Sequence, residues 1–199
     1  MNTDDISYAP LKELAKEIFS GAPIYNIEKF SNSPDGIPLI NIKDIVDGQI
    51  EFSNLSYLDP ETINKPERFT VYPGNVIVTC RGTQLKIALV PDAIKKAIIT
   101  ANLIAIRVKE GLSPLFLTAY LKTKKGQRAL LTNATSTNVQ LVLNVSDIGE
   151  VIIPVPSVSL QEKIANLVNV TEEQYRLSIE SATLYRMITN QVIIDTLDK

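Results

Sequence analysis

The final forty residues constrain this chain more than any other stretch. After "VIIPVP", whose two prolines stop a strand, "SLQE" reads as a capping box with Ser159 as N-cap and Glu162 three residues on. From there to about Leu197 no glycine or proline interrupts. The spacing predicts a helix of roughly 38 residues, about 57 Å at 1.5 Å per residue, longer than one small domain can cover. Its apolar stripe runs Leu160, Ile164, Leu167, weakens at Thr171, Gln174 and Ser178, and resumes at Ala182, Tyr185, Ile188 and Val192. A stripe on a helix that outruns its own domain calls for another helix, so Leu160, Ile164, Leu167, Ala182, Tyr185, Ile188 and Val192 are the expected dimer contacts. The alternative is a helix folded back along its own sheet. The chain is expected to divide into a globular unit, 1–157, and a spacer helix, 158–199.

Upstream, "YAPLKELAKEIF" (8–19) places Leu11, Leu14, Ala15 and Ile18 at i, i+3, i+4, i+7, which predicts a short amphipathic helix ended by Ser20-Gly21. Between 37 and 108 the chain turns to short β-branched runs broken by "DG" at 47–48 and "YPG" at 72–74, the pattern of a sheet of strands about five residues long. "NVIVTC" and "KIALV" read as a hairpin with a tight turn at "CRGTQL", where Gly82 supplies positive φ and the polar side chains project from the tip. Ser113-Pro114 then signals an N-cap with proline at the first helical position. A second short helix, "KKGQRALLTN", follows, and "NATSTNVQ" (133–140) reads as a loop. The fold class expected is α+β: a small twisted, mostly antiparallel sheet with flanking helices, plus one long C-terminal coiled-coil helix.

Charge is strongly segregated. Residues 81–128 hold ten basic side chains (Arg81, Lys86, Lys95, Lys96, Arg107, Lys109, Lys122, Lys124, Lys125, Arg128) against Asp92 and Glu110, a local balance of +8 inside a chain of net charge −2. Such an excess is the footprint of a polyanion-binding surface. No run of about 18 apolar residues occurs, and no small-residue cleavage site follows a hydrophobic stretch, so no membrane association and a cytoplasmic location are expected.

Several chemistries are excluded by residue type. The chain contains no histidine and a single cysteine, Cys80, which lies in an apolar strand as a structural thiol. Ser-His-Asp, Cys-His and HExxH arrangements are therefore impossible, as are thiolate zinc sites. Neither a G-x-G-x-x-G nor a Walker A loop is present, no acid stands two residues before a lysine as a metal nuclease would need, and the asparagine, double proline and aromatic that clamp a flipped adenine are missing. No catalytic residue, metal ligand or cofactor is expected. The chain reads as a binder.

Four segments, "GIPLINIKDIVDGQI", "YPGNVIVTCRGTQLKIALV", "ITANLIAIRVKEGLSPLFLTAYLKTKKGQRAL" and "GEVIIPVPSVSLQEKIANLV", resemble in order and spacing the target recognition domain and conserved helix of specificity (S) subunits of type I restriction-modification enzymes. The resemblance spans about residues 20–170. It implies a subunit that reads double-stranded DNA for a methyltransferase and endonuclease complex, with S-adenosylmethionine carried by a modification subunit docked on the helices and with a restriction subunit able to join. Relatives usually hold two recognition domains in tandem. This sequence holds one domain and one long helix, so two copies paired through their helices, reading identical half-sites, would restore the plan. It also has Leu85 where relatives often carry glycine before the lysine.

On that reading Arg81, Lys86, Lys122, Lys124, Lys125 and Arg128 meet phosphates, and Thr83, Gln84, Asn133, Thr135, Ser136, Thr137 and Asn138 reach base edges. Two other functions remain open at this point. One is an interaction or regulatory protein that binds the modification subunit through the helix without reading DNA. The other is a binder of phosphate-bearing small molecules.

Overall fold

The computed structural model describes residues 6–197 apart from 25–29, 32–35, 52, 54, 133, 138 and 139. In chain order the elements are β1 (Ser7–Pro10), a single helical turn α1 (Leu11–Leu14), β2 (Ala15–Ser20), β3 (Phe30–Ser31), β4 (Ile37–Ile40), β5 (Ile45–Val46), β6 (Gln49–Ile50), β7 (Ser56–Leu58), β8 (Thr70–Val71), β9 (Val76–Thr79), β10 (Arg81–Gly82), β11 (Ile87–Leu89), β12 (Ala97–Ile99) and β13 (Leu103–Val108). Helices α2 (Pro114–Lys122) and α3 (Lys124–Thr132), strands β14 (Thr135–Thr137) and β15 (Gln140–Val142), α4 (Val145–Gly149), β16 (Ile152–Val155) and α5 (Val158–Leu197) complete it. The fold is α+β, as the sequence predicts.

Two sheets and a helical layer stack around β9 and β13. The four-stranded sheet β11-β9-β13-β2 is antiparallel throughout. The five-stranded sheet β3-β7-β4-β12-β8 has one parallel pair, β4 with β12. Alternation of side chains sends Val76, Val78, Ile104 and Ile106 toward Leu117, Leu121, Leu130 and Ile148, while Ile77, Leu103 and Ala105 face Ile40, Val71, Ala97 and Ile99 of the second sheet. The middle strands are thus buried on both faces, which is why "VIVT" and "LIAI" are continuous apolar runs and not alternating ones.

The segment 8–19 is not the helix its spacing predicts. Leu11 and Ala15 are buried by one helical turn and the start of a strand, and β2 then pairs with β13 in register Ile106↔Ile18 and Arg107↔Glu17. Pairing along the open edge of β13 outweighs a weak helical pattern of four apolar positions. At the β5–β6 hairpin, Asp47 (φ 48°) and Gly48 (φ 75°) form the two-residue turn expected of "DG". Ser113 accepts the Phe116 N–H at 3.3 Å and Pro114 opens α2, again as expected.

Helix α5 runs 40 residues. Its cap is Ser157, not Ser159: the Leu160 N–H donates to Ser157 Oγ at 3.4 Å and the Gln161 N–H to the Ser157 carbonyl at 3.0 Å. The helix begins earlier because Pro156 ends the preceding strand. Replacing Ser157 with alanine is expected to cost about 1 kcal/mol in urea denaturation, and Ser159→Ala close to nothing.

Candidate nucleic-acid interface

The connection between β9 and β11 is wider than a tight turn. The Thr79 N–H donates to the Lys86 carbonyl at 2.9 Å and the Lys86 N–H returns to Thr79 Oγ1 at 3.0 Å, so Cys80–Leu85 bulge outward as six residues. Within the bulge, β10 leaves the four-stranded sheet and pairs with β15, Arg81↔Val142 and Gly82↔Leu141, forming a separate antiparallel ribbon β10-β15-β14. Gly82, at φ 154°, has the positive φ expected of it. Within 133–140, Thr135–Thr137 and Gln140 are strand residues of this ribbon and not loop. Thr135, Ser136 and Thr137 form β14, while Asn133 and Asn138 lie outside the described residues. Strand pairing across three short strands satisfies backbone groups that the polar composition alone would have left to water.

Arg81, Thr83 and Gln84 are exposed, as expected. Lys86 is not. Its Nζ donates to the carbonyls of Ile42 (3.1 Å) and Ile45 (2.7 Å) at the end of the 3-10 turn Ile42–Asp44. The Ile42 carbonyl already accepts the Ile45 N–H that closes the turn, so the ammonium reinforces the turn from its open side and is not presented to an outside phosphate. Cys80 beside it is buried, with Sγ 3.3 Å from the Ala101 carbonyl, and burial pushes its thiol pKa up, the nearby Arg81 offsetting only part of that. It is the structural thiol expected.

Helix α3 carries the clearest cationic face. At 100° per residue, Lys124, Lys125 and Arg128 fall within one exposed arc, opposite the buried Gly126 and Leu130. A side chain at Gly126 would sit 2.2 Å from the Tyr120 carbonyl oxygen and 2.6 Å from Leu121 Cα, so glycine is what lets α3 pack against the end of α2. Thr123 joins the two helices: its Oγ1 donates to the Tyr120 carbonyl (2.6 Å) and accepts the Gly126 N–H (3.1 Å). Lys122 lies differently. It faces a cleft of about 440 Å³ together with Gln84, Lys86, Asp47, Gln127 and Glu172, and its Cε and Nζ pack over Gly48, 2.7 Å from where a Cβ would be. With two acids among its lining groups this cleft is of mixed sign.

The ten cations of 81–128 therefore divide. Lys86 is bound by carbonyls, Lys109 donates to the Glu13 carbonyl (2.8 Å), and Arg107 pairs with Glu17 (2.6 Å) while lying over the rings of Phe19 and Tyr72. Arg81, Lys124, Lys125 and Arg128 take part in none of the ion pairs among the described residues. Sequence reading missed Gly126, Gln127 and Glu172. The glycine inside "KKGQRALL", a helical pattern, was the one available signal. Among the described residues no helix is long and apolar enough to cross a membrane, and no group of three or more potential ligands could hold a metal.

The chain is thus a stacked α+β body with a separate three-stranded ribbon, an exposed cationic arc on α3 and a long helix that outruns the body. The chain belongs to the type I restriction modification DNA specificity domain family, whose model matches residues 5–179, and it is an S-subunit target recognition domain. It is 27% identical over 134 residues to the type I restriction enzyme EcoBI specificity subunit of Escherichia coli, covering 67% of this chain and 28% of that protein. Its fold matches the HsdS subunit from Thermoanaerobacter tengcongensis with a TM-score of 0.61 at 17% identity, over 87% of this chain and 39% of the other. The S subunit from M. genitalium matches at 0.57 and 18% identity, over 87% and 40%. The chain spans well under half the length of each of these relatives.

Proposed function

We propose that this chain is the non-catalytic, sequence-reading component of a type I restriction-modification complex, and that two copies pair through α5 to read a bipartite site in double-stranded DNA. The observation that carries DNA reading is the exposed arc Lys124, Lys125, Arg128 on the helix joined to α2, with Arg81 and the polar ribbon on the same globular body. Phosphates are the partners such unneutralised cations fit, and Thr83, Gln84 and the ribbon residues Thr135, Ser136 and Thr137 supply donors and acceptors for base edges. A modification subunit carrying S-adenosylmethionine, and with it a restriction subunit, belongs to the same proposal, as does a cytoplasmic location.

The support for pairing lies in the two faces of α5. Gln161, Ile164, Ala165, Val168 and Glu172 face the body, and Leu160 is half-buried with them. Leu160 and Ile164 are therefore removed from the expected dimer contacts. On the opposite side Leu167, Val170, Gln174, Leu177, Ser181, Leu184 and Ile188 alternate three and four apart, the 3.5-residue period of a coiled-coil seam. Their large apolar members are exposed, Leu167 at 67%, Leu177 at 50% and Leu184 at 52%. Tyr185 and Val192 border this seam and Ala182 flanks it. The seam is apolar at both ends and polar at Gln174 and Ser181, so a second copy running antiparallel about Leu177 lays like segments on like.

Light scattering of the purified protein tests pairing: twice the chain mass is expected, and Leu177→Glu with Leu184→Glu yields the single-chain mass. The same double variant should lower affinity for a duplex bearing both half-sites by on the order of 10²-fold, because the second contact is no longer intramolecular, and leave affinity for one half-site unchanged. A single-chain mass for the unaltered protein at high concentration overturns pairing. Absence of any duplex binding, with retained binding to a modification subunit, would make the protein an adaptor instead of a reader.

A further inference from the structure

We infer that Gln161 is a positioning residue that fixes the angle between the recognition body and α5, and through that angle the gap between half-sites which the pair accepts; the inference rests on the paired-reader proposal above. The Gln161 side chain is 1% exposed. Its Oε1 accepts the Ser113 N–H at 2.7 Å, and its Nε2 donates to the Gly111 and Pro156 carbonyls, each at 2.9 Å. One amide thus ties the first turn of α5 to the strand exit behind it and to the loop that starts α2.

That loop leads straight to the cations. Ser113 caps α2, α2 ends at Lys122, and Thr123 alone separates it from α3, which is locked on by the Gly126 close approach and by Gln127 Nε2 donating to the Lys122 carbonyl (3.1 Å). Of the other residues of α5 that face the body, Leu160, Ile164, Ala165 and Val168 are apolar and Glu172 enters no ion pair among the described residues; apolar contact is non-directional and holds the helix down without fixing tilt or rotation. Three directed hydrogen bonds from a buried amide supply what those contacts lack.

Leverage makes this matter for specificity. Beyond Glu172 every described residue of α5 is exposed, and Tyr175, Arg176 and Ile179 only border an open cleft against the β5–β6 hairpin. From Gln161 to Leu177 is about 24 Å of helix. A tilt of about 10° at the base therefore shifts the seam by about 4 Å, more than the roughly 3.4 Å rise of one base pair. In a two-fold pair both bodies move.

The test uses full-length protein, duplexes selected by the unaltered protein from a random pool, and synthetic versions with the gap changed by one or two base pairs. A one-pair change should cost the unaltered protein on the order of 10²-fold in affinity, since both half-sites can no longer be engaged at once. Gln161→Leu should show less than about a tenfold difference across neighbouring gaps, its half-site affinity unchanged, and Gln161→Glu, which keeps the acceptor for Ser113, should fall between. In parallel, spin labels at Ala93→Cys and Asn190→Cys, diluted with unlabelled protein, should give a narrow distance distribution that broadens in Gln161→Leu. An unbroadened distribution overturns the inference, as does a broadened one with gap preference intact. If Gln161→Leu does not fold, Gln161→Glu decides by the same two readouts. Absence of gap preference in the unaltered chain, seen before any variant is made, sinks the paired-reader proposal and this inference with it, whereas failure of the variants alone sinks only the role of Gln161.

Discussion

Reversing Lys124, Lys125 and Arg128 together to glutamate will weaken duplex binding by at least about 10²-fold near physiological salt and will flatten the dependence of log affinity on log salt by about 2.7, three phosphate contacts at about 0.9 each. The three side chains share one exposed arc and enter no ion pair among the described residues, so their loss removes attraction to phosphate without removing an internal partner. Thermal stability should stay within a few degrees of the parent. Arg107→Glu is the contrasting control. It leaves Glu17 facing a like charge and abandons the stacking on Phe19 and Tyr72, so it should lower stability and leave the salt slope alone. Titration of a fluorescent duplex at several salt concentrations checks both. An unchanged slope in the triple variant would remove α3 from the interface.

Gly126→Ala will lower stability by about 3–5 kcal/mol, about 6–20 °C in melting temperature for a domain of this size. The sign is the informative part. Glycine to alanine inside a helix ordinarily gains up to about 1 kcal/mol. Here the three atoms nearest the new methyl, at 2.2–2.8 Å, are all backbone of Tyr120 and Leu121, so no side-chain rotation relieves the overlap and α3 must move off α2. Because α3 bears the cations, whatever folded protein remains should also bind duplex less tightly. Calorimetry of the purified variant decides, and a gain in stability would mean that the two helices are not in contact at this point.

The parts legible in the sequence are those whose cause is local. Ser113-Pro114 specifies its cap whatever surrounds it, the glycine- and proline-free run after Pro156 is helical as expected, and the two-sided burial of β9 and β13 shows as unbroken apolar runs. What could not be read depends on distant partners. Leu11, Ala15 and Ile18 fit a helix until β13 offers an edge to pair with. The residues around Thr135 carry no apolar alternation, so nothing marks them as a strand before β15, itself paired with Arg81 and Gly82, is brought alongside. Lys86 has the same charge whether it meets a phosphate or the carbonyls of Ile42 and Ile45. Gln161 looks like one more polar residue on a helix, because two of its three partners stand about fifty positions away.

The β10-β15-β14 ribbon hydrogen-bonds to neither of the large sheets. Its pairing is internal, so on the reading proposed above the side chains of Thr135–Thr137 and Gln140 can change, and the target with them, with no ladder of β9 or β13 broken, provided Ala134, which packs on the core, and the Arg81 N–H bond to the Asn102 carbonyl are kept. Recognition, on that reading, can drift in a few side chains while the layers that carry them persist.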